Sequence, residues 1–155
     1  INTEKNAKKA LELDPFNSKI IPVAGSLLRR LGYYDDALPV FTKTLELSSN
    51  PAHWVWFEYA ITLTALKKYE KANELIEKAL TTKEAGTQNT ILILNQAAIA
   101  INENKIEKAK EKCKKAKSRT PNFNLENNLK MISDTVDKDF YNNFLAAVKS
   151  ACDLN

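Results

Sequence analysis

The chain has 155 residues, of which 44% are hydrophobic and 27% charged, with a formal net charge of +4. That balance excludes a disordered chain, and the absence of any long uncharged apolar run excludes a membrane-spanning helix; the length allows one ordinary core or a short array of stacked units. Only three Gly and five Pro accompany abundant Ala, Leu, Lys, Glu and Asn, so the expected fold class is all-α.

The opening stretch, INTEKNAKKALELDP, has no initiator Met, no signal-peptide pattern and no evident cap, and reads as a piece of a longer chain. Its KKALELDP string ends a helix. Next comes a helical run, SKIIPVAGSLLRRL, then LGYYDD, in which Gly32 ends the helix, Tyr33 and Tyr34 plug the turn, and Asp35 and Asp36 start the following helix at its positive end. Pro39 is placed in that helix's first turn, and Pro22 predicts an irregular start to the helix before it.

This pattern of helix, turn and helix returns twice. LGYYDDALPVFTKTLEL (31–47), LKKYEKANELIEKALTT (66–82) and ENKIEKAKEKCKKAKSR (103–119) align on Ala37, Ala72 and Ala109, with Phe41, Ile76 and Cys113 four residues later and Thr44, Ala79 and Ala116 seven residues later. Those spacings lie on one helical face. PAHWVWFEYAITLTAL and NTILILNQAAIAIN precede the second and third of these segments as SKIIPVAGSLLRRL precedes the first.

A period of this length, with small residues at fixed offsets, resembles the tetratricopeptide repeat family. Trp56, Tyr59, Ala60, Leu63, Ala72 and Ile76 fall on the family's pattern in the middle unit, and Ile21, Ala24, Gly25, Leu28, Ala37 and Phe41 in the first. The third keeps Ala97, Ala109, Ala116 and Pro121 but has Ile93, Gln96 and Ala100 where bulk is usual, and the opening segment matches only Ala10 and Pro15. The resemblance covers residues 1–123 as a half repeat (1–17) and three repeats (18–52, 53–89 and 90–123). It departs from the pattern at Ser49 or Asn50, at Glu84, and in three extra residues around Gly86. It implies a right-handed α-α superhelix, and the segment 124–155 reads as two degenerate helices capping it.

In the family, first helices line a concave groove that holds a peptide or a partner's helix. Carried over by position, that set is Lys19, Ser26, Arg29 and Arg30, then Trp54, Phe57, Ile61 and Thr64, then Ile91, Asn95, Ala98 and Asn102. The partner-binding expectation rests on Ser26, Arg29, Arg30, Trp54, Phe57, Ile61, Asn95 and Asn102, with the aromatics as anchors and the two arginines on the rim steering acidic residues. The family's carboxylate-gripping subclass does not fit, because Pro22, Ser26, Glu58, Ile91 and Asn95 stand at the matching places. Two helices apolar almost all round require something over the groove: a partner's apolar segment, the chain's own carboxy-terminal helices, or missing parts of a parent protein.

Chemistry has little support. His53 stands alone as a helix-start residue, no phosphate loop is present, and no metal or cofactor set is expected, so the reading is non-enzymatic and without a small-molecule substrate. Cys113 and Cys152 are read as small apolar packing residues, which leans weakly towards a reducing, cytoplasmic compartment. The segment 90–123 carries eight Lys or Arg against three Glu. Ile106, Ala109, Cys113 and Ala116 form its buried stripe, and the lysines read as a solvated face. The rival functions are nucleic-acid or anionic-surface binding through the Lys-rich helix 105–119, and a structural spacer or homodimer.

Overall fold

In the computed structural model, residues 2–82, 87–133 and 135–153 are described. The sequence departures at Glu84 and Gly86 lie outside them. The described residues form nine helices and no strand: α1 (Thr3–Leu13), α2 (Ile20–Arg30), α3 (Tyr34–Leu47), α4 (His53–Ala65), α5 (Tyr69–Thr81), α6 (Thr87–Asn102), α7 (Ile106–Arg119), α8 (Leu125–Ser133) and α9 (Lys138–Asp153). No helix among them is long and apolar enough to cross a membrane.

Three hairpins, α2–α3, α4–α5 and α6–α7, follow one another, each packed on the next, with α1 laid against α2. The repeat seen in the sequence is a repeat of structure, because Ala37, Ala72 and Ala109 are each the fourth residue of their helices and each has no exposed surface. Their N–H groups bond to the carbonyls of Tyr33, Lys68 and Lys105 at 2.9–3.0 Å. Phe41, Ile76 and Cys113, one turn on, are buried in the same way.

Each hairpin turns through the same motif. Gly32 has φ +82°, its N–H bonds to the Arg29 carbonyl, and the Tyr33 N–H reaches back to Leu28 at 3.0 Å. Lys67 and Asn104, both at φ +57°, repeat these bonds at Thr64 and Ile101, with Lys68 and Lys105 reaching back to Leu63 and Ala100. These are three Schellman closures, of which only the first has glycine in the left-handed position. The open ends of the second and third hairpins are also tied at equivalent places. His53 Nδ1 meets Thr82 Oγ1 at 3.1 Å, and the Thr90 and Thr120 hydroxyls meet at 2.8 Å.

Small residues set the helix spacing. A Cβ added to Gly25 would stand 3.1 Å from the Phe41 ring and 3.1 Å from Val40 Cγ1, so the α2–α3 crossing is as close as a hydrogen atom at that site allows.

Four local expectations are corrected. The start at Pro22 is regular, because α2 begins only at Ile20, where the Asn17 side chain caps the N–H groups of Lys19 and Ile20; Pro22 therefore takes a first-turn place that needs no N–H. Pro39 is the sixth residue of α3 rather than part of its first turn, and it is exposed. Tyr33 is 42% exposed, under the Lys8 ammonium, and only Tyr34 turns inward. The first helix does have a cap, since Asn2 Oδ1 accepts from the Lys5 N–H at 3.0 Å. In addition, Ile106, read as part of the buried stripe, is 40% exposed at the head of α7.

The cysteines are not separate packing residues. Cys113 and Cys152 form a disulfide with Cα atoms 5.3 Å apart, joining α7 to α9. The expectation of a reducing compartment loses its basis with that bond.

Candidate functional site

The carboxy-terminal segment returns across the hairpins. α8 packs on α6, and α9 lies along α6 and α7. The turn between them reaches the first hairpin: Arg29 Nη1 donates to the Thr135 carbonyl at 2.8 Å, and the Tyr34 hydroxyl bonds to Asp137 Oδ2. Asp137 has two tasks, since its other oxygen caps α9 by accepting the Phe140 N–H at 2.9 Å. Burial, then the Asp137 carboxylate, pushes the Tyr34 phenol well above its ordinary pKa, so it stays a donor. Leu129, Ile132, Phe144 and Val148 join the hydrophobic cluster that holds Phe57, Ile61 and Ile91. The chain's own end therefore covers much of α6 and part of α7.

The eight residues expected to bind a partner separate into three groups. Ser26, Arg30, Trp54 and Phe57 come together in a shallow groove of about 360 Å³, with Val23, Leu27, Glu58, Gln88 and Thr135. Val23 is 49% exposed, Leu27 and Trp54 are half-buried, and Arg30 is exposed with no ion pair among the described residues.

A second group is sealed. Arg29 is not on the rim: it has no exposed surface, its Nε and Nη2 grip both oxygens of Glu58, and its third nitrogen takes Thr135. A guanidinium with all its edges matched is stable where a lone charge would not be. Ile61 and Asn95 are also without exposed surface, Asn95 donating to Thr64 Oγ1 at 2.9 Å in the seam between α4 and α6.

Asn102 alone forms the third group. It lies exposed on a separate cleft of about 890 Å³, between the ends of α4 and α6 and the side of α9, where Ile101, Phe140, Phe144 and Ala147 form an apolar wall beneath Lys67, Asn143 and Ser150.

Residues not foreseen cluster at Glu77. Its Oε1 accepts from Gln96 Nε2 at 2.7 Å and from Lys112 Nζ at 3.4 Å, joining three helices. The Gln96 hydrogen bond, helped by the Lys112 charge, holds the Glu77 carboxyl below the ordinary carboxylate range. The one polar residue in the third repeat's apolar pattern, Gln96, was the available signal. Elsewhere on the Lys-rich helix, Lys105 pairs with Glu103, Lys110 with Glu107, and Lys117 binds the Cys152 carbonyl at 3.1 Å. Its charge is thus partly neutralised in place.

The electrostatics of the groove reduce to one term. Glu58 is neutralised by Arg29, leaving Arg30 as the unpaired charge among the described residues lining the groove, beside the polar Ser26, Gln88 and Thr135. No model of a known protein family matches the chain, and no curated protein is detectably similar to it.

Proposed function

We propose that the chain is a tetratricopeptide-like right-handed helical array that docks an extended segment of a partner protein in the groove of Val23, Leu27, Arg30, Trp54 and Phe57. What carries this reading is the exposure of Val23, with half-buried Leu27 and Trp54 over buried Phe57, beside Arg30, which has no ion pair among the described residues. Val23 and Leu27 lie one turn apart on α2, and Trp54 and Phe57 one turn apart on α4, so the four form a floor that does not need to rearrange. Arg30 selects the segment: a large apolar residue seated against Trp54, with Asp or Glu beside it. No bond chemistry is involved.

A peptide-display selection on the purified protein tests this. Enriched peptides should combine an aromatic or large aliphatic residue with a neighbouring acid. Trp54→Ala should weaken them about tenfold or more, and Arg30→Glu should reverse the acidic preference. Peptides that bind both variants as tightly as the parent protein would rule the groove out.

A further inference from the structure

The two ends of α9 are held by different chemistry. At its amino end Asp137 takes the Tyr34 hydroxyl and caps the helix, while the Phe140 ring lies 6.0 Å from Tyr34 and 5.8 Å from Phe144, which is 4% exposed. Beyond Phe144 the packing is thin. Val148 is the one large side chain fully buried among residues 145–153, and Ala151 sits in a small cluster with Ala97, Ala100 and Ala109, against which half-buried Ile101 packs. An alanine methyl removes little area from water, so that contact contributes little on its own. The remaining holds are half-buried Leu145 against the main core, a 4.0 Å pair between the exposed side chains of Lys149 and Glu126, an exposed bond from Lys117 to the Cys152 carbonyl, and the disulfide.

We infer that the Cys113–Cys152 bond is a redox-cleavable clasp: oxidised, it fastens residues 145–153 onto α6 and α7, and reduced, it lets that half of α9 go while the aromatic half stays docked. Release uncovers Ala97, Ala100 and Ala109 and removes Ala147 and Ser150 from the wall of the larger cleft, so the clasp sets how much of α6 is accessible.

The chemistry is thiol–disulfide exchange with a dithiol reductant. Cys113 is 2% exposed and Cys152 is half-exposed in the last turn of α9, so the incoming thiolate reaches the Cys152 sulfur. The S–S bond breaks and Cys113 leaves as a thiolate on a helix rich in lysine. The reductant's second thiol then attacks the mixed disulfide. Two electrons and two protons pass from the dithiol to the protein, and the reductant leaves as its own disulfide.

Hydrogen–deuterium exchange at short labelling times decides it, comparing air-oxidised protein, dithiothreitol-reduced protein and Cys152→Ser. The expected result is exchange of 145–153 accelerated about tenfold or more by reduction and by the substitution, with 138–144 and α6 unchanged at the same times. Three results would overturn the clasp: unchanged protection of 145–153, loss of protection throughout α6 together with α9, or an intact mass showing both thiols free after exposure to oxidised glutathione.

Discussion

Arg29 shows how a single residue can satisfy a sequence pattern and contradict its expected role. It occupies the position that the repeat pattern assigns to the groove, yet its charge is spent inside the protein on Glu58 and the Thr135 carbonyl. Replacing it with Met should cost about 3–5 kcal/mol in denaturant unfolding, because Glu58 would be left buried and unpaired; adding Glu58→Leu should restore at least half of that loss. A helix position alone does not separate a rim charge from an internal one. The distinction depends on residues 29 and 106 positions away, and no local spacing encodes it. Gly25, by contrast, was legible as a close-packing site. Gly25→Ala gains helix propensity of about 1 kcal/mol, but the new methyl meets Phe41, which has no exposed surface and nowhere to move. The net effect should be a loss of about 1 kcal/mol, read from the shift in unfolding midpoint.

Among the elements, the three turns offer a comparison internal to one protein. Lys67 and Asn104 adopt the left-handed conformation that Gly32 adopts without strain. Lys67→Gly and Asn104→Gly should each stabilise by about 0.5–1 kcal/mol, and Gly32→Ala should destabilise by a similar amount, measured by thermal unfolding. The first turn could be read from its glycine. The third offers Asn104, a residue that tolerates the left-handed position, whereas the second could be placed only through the alanine register, since lysine has no preference for such a conformation. Helix identity and the register of Ala37, Ala72 and Ala109 were readable because they follow from a period of small side chains. The tie at Glu77 joins α5, α6 and α7, and its sign with pH is fixed. The folded carboxyl titrates below the unfolded one, so its stabilisation is present above the ordinary value of 4.5 and is lost as pH falls through the folded value. Stability should therefore decline as pH falls below the ordinary value of 4.5, and Glu77→Gln should flatten that slope.

For the whole molecule, the sequence revealed two terminal helices with an apolar face but not their path. A cap stacked on the last hairpin and a segment folded back to the first present the same periodicity, and the deciding contacts, Arg29 to Thr135 and Tyr34 to Asp137, span more than a hundred residues. Removing residues 124–155 uncovers the surfaces of α6 and α7 that α8 and α9 pack against. The shortened chain should elute as aggregate in size-exclusion chromatography, and a monomer as stable as the full chain would show that the segment is dispensable. Arrays of repeats ordinarily behave as lines, each unit sensing only its neighbours, so that the outermost units melt first. Here the last turn is bonded to the first hairpin and the last helix is bonded covalently to the third. The line of hairpins is closed back on itself, and in the oxidised protein neither outer hairpin has an independent route to fray.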